Sequence, residues 1–288
     1  MINPDELTPV QCIRGLYLKR EDLFAPFSYS QVNGGKLRQC LKLVEHIKDK
    51  YKGVVSCCSI HSPQAPITAS VAKYFGMECY IMYGGTTIEN TCKMEMPRIV
   101  LENGGRVVIS SKSGIHKILY MHAKKFAEKE NLFVVDYGFN IIDYPDLMIS
   151  AVGNQVENIP DELDNLVVTC GSGITTIGIL TGVKKFNKHV KKFYFVATAP
   201  SRKEKIDKAL KELNLEIDYE IIDLFHSKGF RYEKEQIEYF NGIELHPNYE
   251  AKTFNWLKNH INWKYEKTLF WIVGKKPRPL KTISNIKN

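Results

Sequence analysis

The sequence predicts an α/β protein built as two open domains, each a parallel sheet covered by helices. Three observations predict it. A strand, loop, helix, strand order repeats between Val54 and Val135. A second series with the same alternation runs from Asn165 to Val273, reached through a helical stretch between Asp143 and Asn158. The length, 288 residues, suffices for one large or two modest domains with an ample core. The expected division is residues 1–50 plus 151–288 as a large domain and 51–150 as a small α/β domain.

Leu16 to Phe24 reads as a short strand running into a charged turn. Leu37, Cys40, Leu41, Val44 and Ile47 recur at the spacing of a buried helical face, so a helix starts at or just after Lys36. It closes near Lys50-Tyr51-Lys52-Gly53, where cations and a glycine suit a helix C-terminus. Val54–Cys58 is then a strand, Ser59–Pro66 a loop, Ile67–Phe75 a helix and Glu78–Tyr83 a strand. After the Gly84–Thr87 loop a helix reaches Glu102, and Pro97 should kink or split it. Arg106–Ile109, Ile115–Glu130 and Leu132–Val135 follow as strand, helix and strand. In the second series Asn165–Thr169, Lys192–Thr198, Glu216–Asp223 and Thr268–Val273 are strands. Ile174–Phe186, Ser201–Leu213 and Tyr249–Asn259 are helices. Folds of this kind bind ligands outside the carboxyl ends of their strands.

Composition narrows the function. No apolar run approaches membrane-spanning length, and Met1-Ile2-Asn3-Pro4-Asp5-Glu6 lacks the basic and apolar regions of a secretory signal, so a cytoplasmic protein without a membrane partner is expected. The seven cysteines form no C-x-x-C pair or histidine-bearing ligand set, which predicts buried free thiols and no metal. A net charge of +8, concentrated in Lys184–Lys192 and Lys275-Lys276-Pro277-Arg278, favours acidic partners, nucleic acid among them. No nucleic-acid-binding motif accompanies it.

Four stretches carry candidate chemistry. Lys36, after Gly34-Gly35, stands at a helix start, where free N–H groups and the positive dipole end disfavour a cation by about 0.3–1 kcal/mol and so favour a neutral, nucleophilic amine. The plainer alternative is a surface lysine after a flexible turn. Cys170-Gly171-Ser172-Gly173-Ile174-Thr175-Thr176 follows a strand and opens a helix, as a phosphate nest does, though a simple strand-to-helix turn has the same form. It is not a dinucleotide fingerprint, since Thr176 replaces the third glycine, nor a Walker loop, which needs Gly-Lys-Ser/Thr. Ser59 to Pro66 gathers His61, Ser62 and Gln64 before a helix, as a carboxylate site would, while a histidine such as His61 alone is more often structural. No Ser-His-Asp order or nucleophile elbow indicates a hydrolase. Glu250 lies in the first turn of a helix, where an acid is also ordinary capping chemistry.

Taken in order, Lys19-Arg20-Glu21-Asp22-Leu23, Gly34-Gly35-Lys36-Leu37-Arg38, Ser62-Pro63-Gln64, Gly171-Ser172-Gly173 and Pro247-Asn248-Tyr249-Glu250-Ala251-Lys252 resemble one family. It is the 1-aminocyclopropane-1-carboxylate deaminase and D-cysteine desulfhydrase family, pyridoxal 5′-phosphate (PLP) enzymes of the tryptophan-synthase β fold, fold type II. The resemblance spans most of the chain. It implies that Lys36 forms the Schiff base with PLP and carries the proton at the substrate Cα. It further implies that Gly171, Ser172, Gly173, Ile174 and Thr175 hold the phosphate and that Glu250 faces the pyridine nitrogen. Ser62 and Gln64, with His61 beside them, would meet the substrate carboxylate, and Tyr249 would act near the substrate as acid, base or nucleophile. The family usually forms dimers, so a homodimer is expected.

This chain departs from the family pattern at three places. Gly35 stands where Asn usually precedes the lysine, Pro63 where relatives place Asn, and Val273-Gly274-Lys275-Lys276 where a Thr-Gly-Gly turn is usual. Cofactor machinery is retained while the substrate surroundings change. The expected function is a PLP-dependent lyase or deaminase cleaving a bond at Cα or Cβ of a small amino acid. One alternative is decarboxylation or related Cα chemistry on an amino-acid group attached to a modified nucleobase, as in viral DNA. Another is a non-catalytic binding protein on the same fold.

Overall fold

The computed structural model describes residues 2–141 and 143–280. The chain opens with β1 (Val10–Ile13) and β2 (Leu16–Arg20), then passes to α1 (Gly35–Ile47), β3 (Gly53–Cys57), α2 (Gln64–Tyr74) and β4 (Glu78–Gly84). Next come α3 (Ile88–Cys92), α4 (Glu95–Glu102), β5 (Arg106–Ser111), α5 (His116–Glu130) and β6 (Leu132–Val135). The remainder is α6 (Pro145–Gly153), β7 (Glu162–Cys170), α7 (Ile174–Lys185), β8 (His189–Ala197), α8 (Lys203–Glu212) and β9 (Glu220–Asp223), followed by β10 (Tyr239–Phe240), β11 (Ile243–Glu244), α9 (Glu250–His260) and β12 (Thr268–Ile272). No helix among the described residues is long and apolar enough to cross a membrane.

The chain divides into two units: Met1–Phe24 with Pro145–Lys276, and Ala25–Tyr144 with the stretch from Pro277. This moves the expected boundary from residue 50 to residue 24. The cause is packing of residues 25–50 on α2: the Tyr29 hydroxyl donates to Ser70 O at 2.9 Å, and the Ser30 and Ser70 hydroxyls bond at 2.8 Å. The tail moves too, since the Leu280 N–H donates to Glu102 Oε2 at 3.2 Å.

The first unit is built on a six-stranded sheet in the order β1-β2-β12-β7-β8-β9, parallel except for the β1–β2 hairpin. Successive strand residues point to opposite faces. Val168, Phe195 and Trp271 therefore join Val152, Ile177 and Leu180 on one side, while Val167, Val196 and Phe270 join Phe254 and Leu257 of α9 on the other. Both faces are covered, which explains why these strands read as continuous apolar runs. Lys19 departs from its expected charged turn and is fully buried. Its Nζ donates to Thr8 O at 2.8 Å and Asn158 Oδ1 at 2.7 Å, and lies 5.8 Å from the Trp271 ring centre. Arg20 and Asp22 pair through two 2.8 Å bonds, so much of this motif is internal bracing.

The second unit carries a four-stranded parallel sheet in the order β5-β4-β3-β6. Val55, Cys57, Tyr80 and Met82 pack on Leu119, Ala123 and Ala127 of α5. The helix expected to reach Glu102 is indeed split, but at Lys93–Met94. Pro97 falls in the first turn of α4, where a missing N–H costs nothing.

Candidate active site

In the first unit the candidate residues gather at the carboxyl ends of the adjacent parallel strands β12, β7 and β8. The Gly171–Thr175 loop leaves β7 and enters α7, whose N-cap Gly173 has φ +85°, a left-handed conformation that glycine adopts without strain. Gly171 has no atom within 4 Å of where a Cβ would stand, so another group can approach its backbone closely. Residues after β8 add positive charge. Lys205 Nζ donates to Ser172 O at 3.0 Å, and both Arg202 and Lys205 bear electrostatically on Cys170 at the end of β7. A helix start flanked by two cations suits a phosphate.

Glu250 begins α9 but is buried, 2% exposed, rather than capping a helix in solvent. Its Oε1 accepts the Val273 N–H at 3.2 Å, just past β12, whereas Oε2 has no hydrogen-bond partner among the described residues. Burial pushes its pKa up to about 8, and nearby Asp22 adds to the rise. A buried acid with one unused oxygen fits a ring nitrogen that shares a proton with it. Tyr249, the residue before, packs edge-on against the His246 ring with centroids 4.6 Å apart and is joined hydroxyl to hydroxyl with Tyr232.

In the second unit Lys36 occupies the first turn of α1, after Gly34 at φ +91°, and is partly buried. Its charge acts on the buried Cys58 thiol, which burial pushes up to about 12 and which also bonds to Ser62. Lys36, Cys58 and Ser62 thus share one neighbourhood. The Ser62 hydroxyl accepts the Gln64 N–H at 3.3 Å, and the His61 N–H donates to Ser59 Oγ at 3.4 Å.

The Gln64 side chain is committed inside the unit. Nε2 donates to Ser56 Oγ at 3.0 Å and Asp136 O at 2.9 Å, while Oε1 accepts the Gly138 N–H at 2.6 Å. What Gln64 leaves for a carboxylate is its place at a helix N-terminus, not its amide. Nearby, Cys57 Sγ lies 3.8 Å from His116 Nε2, which lies 3.6 Å from Asp136 Oδ1. Burial pushes the Cys57 thiol up to about 12, so this trio has no thiolate with which to attack.

Arg202, Lys205, Cys58 and Tyr232 were not singled out in the sequence. The signal for the first two is the pairing of β7 with β8, which puts the start of α8 beside the phosphate loop. For Tyr232 no local signal exists.

The first unit thus offers a helix-start loop after a parallel strand, suited to a phosphate, and a buried carboxyl, and the second offers a lysine in the first turn of a helix. The chain belongs to the pyridoxal-phosphate dependent enzyme family, which it matches over residues 4–232, and its cofactor is PLP. The O-seryl-dTMP PLP-dependent decarboxylase of Salmonella phage ViI is 27% identical to it over 340 aligned positions, 91% of this chain and 78% of that protein. Among solved structures, an ACC deaminase homologue superposes with a TM-score of 0.72 at 22% identity, over 93% of this chain and 89% of its own. Serine racemase from Dictyostelium discoideum does so at 0.58 and 15%, over 93% and 92%. The fold is therefore the tryptophan-synthase β-like fold that the family resemblance implies.

Proposed function

We propose that this PLP-dependent enzyme decarboxylates an α-amino acid carried on a pyrimidine nucleotide. The observation that carries the proposal is the likeness, across 91% of the chain, to a relative named for decarboxylating O-seryl-dTMP. The protonated, buried Glu250 agrees with it, because loss of CO₂ leaves an electron pair at Cα that needs a strong sink. Bound PLP supplies that sink.

The chain's own residues take the remaining roles. Lys36 is the covalent attachment point for the cofactor. The N–H groups of Gly171 to Thr175, with Arg202 and Lys205, hold the phosphate. Glu250 holds a proton at Oε2 for the ring nitrogen. Ser62 and the start of α2, with His61 at the loop's edge, orient the amino acid. As the Cα–carboxyl bond breaks, Lys36 or Tyr249 delivers a proton to Cα, so that a C–H bond replaces the C–C bond and CO₂ leaves. A homodimer is carried over from the family resemblance, and analytical ultracentrifugation of the holoenzyme measures it.

A second reading, deamination or elimination on a small free amino acid, is favoured by the deaminase-like order of the motifs and by Tyr249. Mass spectrometry after incubation with O-seryl-dTMP, free serine, D-cysteine and 1-aminocyclopropane-1-carboxylate separates the two. Conversion of O-seryl-dTMP to the amine with release of CO₂ is expected. Release of ammonia from a free amino acid, with O-seryl-dTMP untouched, refutes decarboxylation and supports the second reading. Tyr249→Phe should slow turnover while leaving the cofactor's absorbance in place.

A further inference from the structure

A groove of about 510 Å³ opens on the first unit, lined by the segment between β9 and β10 and by α9. Lys228, Arg231 and Lys234 are exposed along it and form no ion pair among the described residues. Glu235, the acidic residue of the lining, is already paired with Lys276 at 2.7 Å, so the groove is strongly positive. Its α9 side carries the exposed His260 ring, stacked on the half-buried Trp256 ring with centroids 4.9 Å apart and planes 13° from parallel. Lys252 fixes the segment in place. Its Nζ donates to Arg231 O at 2.9 Å and Tyr232 O at 3.0 Å, and lies 4.6 Å from the Phe230 ring centre. Tyr232, the residue after Arg231, is bonded hydroxyl to hydroxyl with Tyr249.

We propose that this groove holds the phosphodiester backbone of a DNA strand beside the nucleotide presented to Tyr249, a role that rests on the nucleotide substrate proposed above. Free dTMP offers one phosphate, and three unpaired cations exceed what it needs. An acidic peptide would meet the cations but supply no flat ring to extend the stack at the exposed His260. Cations that track a backbone, interleaved with aromatic faces for neighbouring bases, are the requirements of a single strand.

The test is fluorescence anisotropy of an unmodified, labelled twelve-nucleotide single strand with the holoenzyme over a salt series. Three phosphate contacts predict a log–log salt slope of about −2. The variant Lys228→Ser/Arg231→Ser/Lys234→Ser should lose roughly tenfold or more in affinity and most of the slope, while keeping its turnover of O-seryl-dTMP. Lys124→Ser/Lys125→Ser/Lys129→Ser, which removes the same charge from exposed positions of α5, should bind like the parent protein. Equal affinity of the parent and the groove variant overturns the proposal, as does an equal loss in the α5 variant. Binding is read on unmodified DNA, so it succeeds or fails separately from decarboxylation.

Discussion

Glu250→Gln tests the cofactor site most directly, because its effect has a sign that depends on pH. In the protein without PLP the carboxyl titrates at about 8, against 4.5 for an ordinary glutamate. Between those values the folded state holds a proton that the unfolded chain has lost. Stability conferred at low pH is therefore lost as pH rises from about 4.5 to about 8, and the loss levels off above that. The gap corresponds to at most about 5 kcal/mol at 1.36 kcal/mol per unit. Relaxation and water entry around the charged form reduce it, so a fall of about 2–4 kcal/mol is expected. Glutamine keeps an amide oxygen for the Val273 N–H but has nothing to titrate.

The assay is urea unfolding of both apoproteins at pH 5, 6.5 and 8. Other groups titrate in the same window, so the informative quantity is the difference between the two proteins. Glu250→Gln should gain on the parent protein as pH rises, by a few kcal/mol in total. Parallel stability curves would falsify the placement of Glu250 as a buried, protonated acid. Saturating PLP should flatten the parent's curve, since a ring nitrogen then shares the proton. The loaded Glu250→Gln enzyme should lose roughly 10²-fold or more in turnover, with the cofactor still bound.

Three further outcomes are expected. Lys36→Ala should abolish the visible band of the lysine-bound cofactor and lower turnover by roughly 10²–10⁴-fold, with partial return on adding methylamine; a retained band in the absorbance spectrum would exclude Lys36 as the attachment point. Gly171→Ala meets no atom within 4 Å, so denaturant unfolding of its apoprotein should change by less than about 0.5 kcal/mol while PLP affinity falls tenfold or more. Gly173→Ala, at φ +85° with the new Cβ 3.3 Å from Arg202 Cβ, should instead cost the apoprotein about 1–2 kcal/mol. Gln64→Ala removes the buried bonds to the Gly138 N–H and the Asp136 carbonyl, for a loss of about 2–4 kcal/mol in urea unfolding, and an unchanged midpoint would show that its amide is not a structural tie.

The parallel sheets were legible because their strands are buried on both faces. Val54-Val55 and Leu166-Val167-Val168 have no polar residue to hide them. The edge elements were harder to see. β1 and β2 are joined by Arg14 at φ +50° and Gly15 at φ +85°, a two-residue turn whose usual signal is Asn-Gly or Asp-Gly and which an arginine conceals. The β10–β11 turn does carry Asn241-Gly242, with φ +48° and +81°, so that hairpin was readable and its two-residue strands were the obstacle. The unit boundary was not readable locally. Nothing in α1 itself shows that Ser30 bonds to Ser70, forty residues later.

At the candidate site, local chemistry was legible and environment was not. Lys36 and the Gly171–Thr175 loop show their character through position at a helix start, which is written within a few residues. Glu250 occupies an equivalent position, and by that rule its carboxylate should be exposed and stabilised by the helix dipole by under about 1 kcal/mol. The fold reverses this. Val273, just past β12, covers Oε1, Asp22, two residues past β2, adds negative charge, and the absence of solvent outweighs the dipole, so the acid keeps its proton near neutral pH. Both contributors are distant in sequence and adjacent in the sheet, since β12 pairs with β2. The protonation state of a catalytic group belongs to the sheet order rather than to its own helix, and it becomes readable only once that order is known.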